Sequence, residues 1–504
     1  MSAIYVGESE QEWEPVFEPV PGVGNEFEGS CLGDKRLDCR VKALASHIAT
    51  APGESFPKLF KDGSELEAFY RFVENPYFDM QTVLQPHYQH TAERCSSRRE
   101  ILVVHDTTEF SFSGEVPRRD LGRLRHGGQG FFGHFSLAVS ADLLREPLGV
   151  VNVLPWTRAR QEGEQSSQWP FVTKEQERWV MAVDASESRL KDAGDVNAIH
   201  VMDREGDSYE IFARVKRFVI RVCHDRQVQW FSALGEDVQG KLFEGLRQCQ
   251  AQCVREVRLS QRAKGKTPSQ RKHYPARRGR QATLHMSGLH VKLTRPEDVD
   301  RRLPESLEVN VVRVWEDDPP EGEEPVEWIV VTTEPIDTAE DLEYVVDIYR
   351  SRWLIEELNK AIKTGCSYER RQFESLETLQ KALGLLVPVA WSLLVLRHLS
   401  RQAPDLPAER MLTPTQVTIL KVKGHLRSDQ PAIRDALLAV AALGGHLKRN
   451  GEPGWQVLGR GYTDLLLLEQ GWLAALTTLD EGAVVEVKGR RPPTKLRANG
   501  AKKM

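Results

Sequence analysis

From Ile101 onward the apolar pattern leaves a helical period and becomes a series of short β-rich runs separated by two helical stretches. The runs "ILVVHD" (Ile101 to Asp106), "FGHFSLAVSAD" and "PLGVVNVLPW" read as three strands, and "QWPFVTKEQERWVMAVDASESRLKDA" reads as a long helix. A strand "AIHVMD" (Ala198 to Asp203), a helix "DSYEIFARVKR" and a strand "FVIRVCHD" follow. Three strands, then helix, strand, helix and strand bury their apolar faces as one mixed sheet covered by helices.

This element order is ribonuclease-H-like, so the expected class is α/β with a mixed-sheet core. Flanking segments read as helical. "DKRLDCRVKALASHIATA" and "GSELEAFYRFVENP" precede the sheet, with Asp34 a predicted N-cap and Pro76 closing the second segment. "AIRDALLAVAALGGHL" and "GYTDLLLLEQGWLAAL" follow Arg401. After Asp225 a β-rich, basic insertion interrupts the alternation and closes near "WEDDPPEGEEP", after which "EWIVVTTEP" resumes it. The expected organisation is a helical N-terminal domain over 1–95, a catalytic domain over 96–400 with its insertion at 226–326, and a helical C-terminal domain with a basic tail over 401–504.

A chain of 504 residues exceeds what one core supports, and 40% apolar with 28% charged residues marks it as globular. The opening "MSAIYVGESEQEWEP" has neither the basic start nor the apolar centre of a signal peptide. "ALGLLVPVAWSLLVL" (Ala382 to Leu396) is too short for a bilayer and contains Pro388, so it is expected to be a buried core helix, with no membrane partner. Seven scattered cysteines form no disulfide framework, and Cys249 and Cys253 lack a second pair for zinc; buried thiols in a reducing cytoplasm are expected.

The net charge of −5 argues against nucleic acid only if it is evenly spread, and it is not. "QRAKGKTPSQRKHYPARRGR" carries Arg271, Lys272, Arg277 and Arg278 among other cations and no acid, and the tail "KGRRPPTKLRANGAKKM" is likewise basic. Such segments suit a polyanion; the alternative is a solvated loop and tail.

Two of the apolar strands end in aspartate. As neighbours in one sheet they would bring Asp106 and Asp203 together, where repulsion calls for a cation, and oxygen donors favour Mg²⁺ or Mn²⁺. The alternative for each is a turn or N-cap. "YRSRWLIEELNKAIKTG" (349–365) supplies a third carboxylate: at 3.6 residues per turn Tyr349, Arg352, Glu356, Lys360 and Lys363 share one face. Three cations and a tyrosine around one glutamate exceed what ion pairing needs and suit a phosphodiester beside a metal-binding carboxylate. A solvent-facing ladder of ion pairs remains the alternative.

The signature Tyr349, Arg352, Glu356, Lys363, with "HDTTEF" and "MDREGD" before it, resembles that of the insertion-sequence-4 family of DDE transposases, of the transposon-Tn-five type. "LGDKRLDCR", "AFYRFVENP", "RKHYPARRGRQATLHMSGLHVKL", "EWIVVTTEP" and "LGGHLKRNGEPGW" extend the likeness over most of the chain. The resemblance implies a cut-and-paste transposase in which Asp106, Asp203 and Glu356 hold two Mg²⁺ ions, with Mn²⁺ substituting. It further implies that the freed 3′-OH forms a hairpin before insertion into target DNA. Tyr349, Arg352, Lys360 and Lys363 would hold phosphates, Trp328 would stack an extruded base, and Asp34, Arg36 and Arg40 would belong to the end-binding region. Partners implied are double-stranded DNA and a second copy of the chain, in the nucleoid-associated cytoplasm of a bacterium. Rival readings are a hydrolytic DNA nuclease of this fold, a non-catalytic transposase-derived DNA-binding regulator, and a carboxylate-pair sugar hydrolase, for which the cations beside Glu356 have no use.

Overall fold

The computed structural model describes residues 23–480 except 51, 61, 115–116, 126, 159–176, 195, 233, 260, 262–275, 448 and 450. Arg271, Lys272, the basic tail and the beginning of the long predicted helix therefore lie outside the described residues.

Twelve strands among the described residues form one sheet. They are β1 (Glu100–Phe112), β2 (Gly122–Arg123), β3 (Gln129–Ser140), β4 (Pro147–Trp156), β5 (Asn197–Met202) and β6 (Phe218–Arg221), followed by β7 (Gln227–Phe231), β8 (Asp237–Lys241), β9 (Cys253–Leu259), β10 (Arg280–Thr294), β11 (Ser306–Trp315) and β12 (Glu327–Thr332). β4, β3 and β1 form an antiparallel meander, β5 runs parallel to β1, and β6 runs parallel to β5. That is the expected ribonuclease-H-like core. Parallel neighbours need a crossover, and helices Glu177–Ala193 and Tyr209–Arg214 supply it on the way to β5 and β6.

The insertion is not a separate lobe. β12 pairs antiparallel with β6 on one side and β11 on the other, and β10, β7, β8 and β9 continue outward from there. One hydrogen-bonded sheet thus carries both the core and the insertion, which fixes their relative position.

The helices before and after the sheet agree with the sequence reading. Lys35–Thr50 follows Asp34, whose carboxylate accepts the Arg36 backbone N–H at 2.8 Å, as an N-cap should. Phe56–Leu59, Gly63–Val73 and Met80–Ser96 complete the N-terminal part, and Pro414–Val422, Ile433–Leu443 and Trp455–Asp480 lie in the C-terminal part. The run judged too short for a bilayer sits inside a longer helix, Leu376–Gln402, whose most apolar stretch is 94% buried in protein. It is a core helix despite its length. Trp391 on it donates to the Pro147 carbonyl at 2.9 Å, and each of its fully buried leucines contributes roughly 2 kcal/mol. Gly149 in β4 is required: a Cβ there would lie 2.1 Å from Thr91 Oγ1 on helix Met80–Ser96.

All seven cysteines are free, as expected, but only Cys95 and Cys366 are buried; Cys249 and Cys253 are half-buried, and Cys31, Cys39 and Cys223 are exposed.

Candidate active site

Asp203 follows the last residue of β5 and caps the short turn Arg204–Gly206, its Oδ1 accepting the Glu205 N–H at 2.8 Å. Asp106 does not end its strand; β1 continues to Phe112 because β3 pairs with it that far. The partner on the other side stops sooner. β5 pairs with β1 only to Val104 and Val201, so both aspartates project just beyond the parallel pair, side by side in the extended register. Behind them His105 points to the opposite face, where His200 Nδ1 lies 2.8 Å from its Nε2 and Ser136 Oγ 3.0 Å from its Nδ1, tying β1 to both neighbours. Burial, then the neighbouring histidines, holds the His105 imidazole well below its usual pKa, so it is neutral.

Glu356 arrives on a helix unlike the one expected. The signature segment is divided into Ala339–Arg350, Trp353–Lys360 and a π turn, Ala361–Gly365. Ser351 marks the division, its hydroxyl donating back to the Asp347 carbonyl at 3.0 Å, a bond that bends helices. In the π turn the Cys366 N–H reaches the Ala361 carbonyl at 2.8 Å, five residues back. A uniform 3.6 period therefore does not hold across 349–365. Lys360 shares the regular helix Trp353–Lys360 with Glu356, one turn on, but its ammonium turns aside, to 3.0 Å from Glu357 Oε1 and 4.4 Å from the Trp353 ring centroid.

The other cations do face the carboxylates. Arg352 pairs with Glu356, and its guanidinium also feels Asp106 and Tyr349. Lys363 lies over the Phe110 ring, 3.9 Å from Glu369; burial lowers its pKa, while Glu369, Glu109 and Asp106 oppose that shift. Tyr349 packs on Trp328 with ring centroids 5.1 Å apart. Among the N-terminal candidates, Arg36 forks onto Asp34 at 2.8 Å, and Arg36, Arg40 and Arg71 line a groove between helices Lys35–Thr50 and Gly63–Val73. In the insertion, the Arg278 N–H donates to Glu323 at 3.1 Å, and Arg277 acts electrostatically on Glu316.

Burial, then the charges of Asp203, Glu356 and Glu205, pushes Asp106 up to about 7 against the pull of Arg352. Asp203 is raised for the same leading reason. Three carboxylates therefore converge in a poorly solvated place with too little positive charge, which is the electrostatic condition of a divalent-cation site. Each retains one oxygen with no hydrogen-bond donor among the described residues: Asp106 Oδ1, Asp203 Oδ2 and Glu356 Oε2. Donor type, charge and open valence all fit Mg²⁺ or Mn²⁺. Among the described residues only Asp207, Cys223 and His224 bring three such ligand atoms within 4.8 Å, so the acidic trio is more widely spread, with Glu356 drawn toward Arg352. The tighter group is a structural knot: the Asp207 carboxylate already accepts the Cys223 and His224 N–H groups and pairs with Arg226.

Two further side chains stand beside the carboxylates: Glu205, which the sequence reading met in "MDREGD" without giving it a role, and Asn359, which it passed over. Glu205 is anchored by Arg125 at 2.8 Å and by Arg178, which hold its carboxyl low although burial pulls the other way. Asn359 donates from Nδ2 to Asp106 Oδ2 at 3.0 Å, while its own buried Oδ1 has no partner. Its position, three residues after Glu356, places it on the same face and was the available signal. The isosteric change Asn359→Leu is expected to weaken Mn²⁺ binding 10- to 100-fold without loss of fold, since such supporting bonds typically matter that much. Calorimetric titration checks it, and unchanged affinity would remove Asn359 from the site.

Comparison with known families bears directly on this arrangement. Residues 23–78 match the family described as transposase DNA-binding, and residues 176–391 match the transposase DDE domain. Together these matches support a DNA transposase. The DDE match takes in Asp203, Arg352, Glu356, Asn359 and Lys363 and begins after β1, so Asp106 joins them through the sheet register alone. The transposase DNA-binding match contains the groove lined by Arg36, Arg40 and Arg71. Transposase DDE domains depend on divalent metal, in keeping with the oxygen donors. A solved cryo-EM structure, the piggyBac transposase synaptic complex with hairpin DNA, covers 89% of this chain and 76% of its own at 9% identity, with a TM-score of 0.32. A likeness that loose says nothing of this chain's chemistry.

Proposed function

We propose that the chain is a cut-and-paste transposase of the insertion-sequence-4 type, which binds the terminal repeats of its element, cuts there and joins the freed 3′ ends to target DNA. The observation that carries the reading is the convergence of Asp106, Asp203 and Glu356, each with an open oxygen, beside Arg352 and Lys363.

Asp106, Asp203 and Glu356 would hold two divalent ions, Mg²⁺ or in its place Mn²⁺, whose Lewis acidity would activate water and stabilise the leaving 3′ oxygen. Arg352 and Lys363 then hold the phosphate oxygens of the scissile strand, and Tyr349 fixes their approach by packing on Trp328. Arg352 exchanges part of its contact with Glu356 for DNA, so cation and substrate bind together more tightly than either alone. An in-line displacement accepts water or a 3′-OH as nucleophile, so one constellation serves nicking, hairpin formation, hairpin opening and joining. Trp328 is half-buried, and its uncovered part is offered to a base displaced at the hairpin.

The N-terminal groove with Arg40 would read the element ends. Trp472, Leu473 and Leu476 are exposed on one side of helix Trp455–Asp480, an apolar face that supports docking of a second copy in the DNA-bound complex. Such a protein would work among cytoplasmic DNA.

The test is incubation of the protein and Mg²⁺ with a supercoiled plasmid carrying the element's own ends. Hairpin-ended excision products are expected, and Lys363→Ala should reduce their rate by about 10²-fold through loss of one phosphate contact. Nicked or linear products with open ends would instead indicate a nuclease, and binding without cleavage a regulator.

A further inference from the structure

The signature helix has a second face. Trp353, Glu357 and Lys360 lie one residue round from Arg352, Glu356 and Asn359, about 100° away on the helix. That face borders a groove of about 590 Å³ into which four other elements send arginines. Arg145 comes from the turn between β3 and β4, Arg255 from β9, Arg350 from the end of helix Ala339–Arg350, and Arg397 and Arg401 from successive turns of helix Leu376–Gln402.

Five arginines and two carboxylates line the groove, with Glu452, Asp142 and Glu100 acting on the arginines from outside the lining. Asp347 is shared between Arg255 at 3.0 Å and Arg350 at 2.9 Å; Glu357 is shared between Lys360 at 3.0 Å and Arg397 at 3.6 Å. Arg401 forms no ion pair among the described residues, and Arg145 donates to a carbonyl, Ala141, rather than to a carboxylate. Nη1 of Arg397 is buried without a hydrogen-bond acceptor, while its Nε faces Glu357 Oε2 at 3.6 Å, beyond hydrogen-bond reach, and its guanidinium lies over the Trp455 ring. Leaving a buried donor unmet costs about 1–3 kcal/mol, more when charged. Burial pushes the Arg397 and Arg145 guanidinium groups down, and Arg401 presses Arg397 further in the same direction. Arg145 also holds a left-handed backbone with φ of 51°, uncommon for a long side chain. At the mouth Trp353 is 53% exposed.

Guanidinium groups outnumber carboxylates in the groove lining, and the chemistry of an anion suited to them can be narrowed. Guanidinium forks match phosphate oxygens two at a time, and an exposed tryptophan beside them suits a sugar or base. Cations spread over four elements suit a run of phosphates better than one small anion. The groove starts beside the acidic site, on the other face of the same helix, and its Arg145 end runs away from it. Arg145 lies beyond Ser140, which pairs with Ile101, five residues down β1 from Asp106. That is roughly 17 Å along the strand, or about five base pairs of duplex.

We propose that this groove is a second DNA-backbone site, gripping a duplex segment other than the one cut at Asp106, Asp203 and Glu356. The proposal rests on the transposase reading for its biological meaning. Two sources share the chemistry: target DNA, or donor DNA flanking the element end.

The test pairs Arg350→Ala with Arg401→Glu, both exposed positions, and uses Lys191→Glu, exposed outside the groove, as the charge control. A fluorescent duplex of unrelated sequence is titrated in EDTA at several salt concentrations. The double variant is expected to bind it about 10-fold more weakly, with the salt slope reduced by about two, while the control changes little. Arg401→Lys in place of Arg401→Glu should recover most of the loss. Joining of precut ends to a target plasmid then separates the sources. Loss there assigns the groove to target DNA, and loss confined to uncut, flanked ends assigns it to the flanks. Unchanged duplex affinity and salt slope in the double variant would overturn the proposal. Because that titration contains no metal and needs no cleavage, failure of the wild type to excise its element would count against the transposase reading and leave this test intact.

Discussion

Asp106→Asn is expected to lose DNA cleavage by at least about 10³-fold and, without metal, to melt at a higher temperature than the wild type. The two effects have one cause. Asp106 is a buried carboxyl crowded by Asp203, Glu356 and Glu205, so its charge opposes folding until a cation offsets it. Asparagine keeps the volume and can still meet Asn359 after a flip of either amide, but it removes the charge. Loss of one charged metal ligand takes away several kcal/mol of transition-state stabilisation, which is the factor of 10³. Adding Mg²⁺ should raise the melting temperature of the wild type and leave that of the variant nearly unmoved. A variant that melts lower without metal, or cuts normally, would show that Asp106 is a structural group.

Glu26→Ala should cost about 3–5 kcal/mol of stability, the usual consequence of breaking a buried ion pair. Glu26 is 4% exposed and joins the first turn of the described chain to helix Met80–Ser96 through Arg94 at 2.9 Å and His87 at 2.6 Å. His87 Nε2 accepts the Val150 N–H at 3.2 Å, so Nδ1 carries the proton to Glu26; burial lowers the His87 pKa, and the ring is neutral. Arg94 therefore provides the countercharge. Burial alone would raise Glu26, yet these contacts bring it from 4.5 to about 2. Its folded pKa lies below its unfolded one, so the carboxylate contributes fully above pH 4.5 and the contribution, on the order of 3 kcal/mol, is lost as pH falls toward 2. The gap in melting temperature between wild type and Glu26→Gln should be wide at pH 7 and narrow at pH 3. A gap independent of pH would mean that Glu26 acts through packing alone.

Much of this architecture is legible from local pattern. Strand and helix order between Ile101 and Asp225 follows from apolar periodicity, and adjacency of β1 and β5 follows from that order, which is why Asp106 and Asp203 could be paired from sequence. What periodicity could not convey is where a partner strand stops. Asp106 is mid-strand, and it stands uncovered beside Asp203 because β5 ends at Met202. Nor does a 3.6 period register the bend at Ser351 or the π turn at Ala361–Gly365, which lies between Glu356 and Lys363 and leaves Lys363 near Asp106; Lys360 differs by its side-chain partners alone, turning to Glu357. The insertion's β character was plain, but its fusion to the core through β12 depends on pairing between residues more than a hundred positions apart. Asn359 was hidden for a different reason: its spacing from Glu356 put it on the right face, but an uncharged amide in a helix full of charges draws no role until its partner Asp106 is known.

The central claim is that Asp106, Asp203 and Glu356 are ligands of one divalent-metal centre. Electron paramagnetic resonance of Mn²⁺ titrated into the protein bound to a duplex of its element's end tests it most directly. The account predicts tightly bound Mn²⁺, up to two ions per chain, that is lost or greatly weakened in each of Asp106→Asn, Asp203→Asn and Glu356→Gln while the duplex stays bound. Full Mn²⁺ occupancy in all three variants would contradict it.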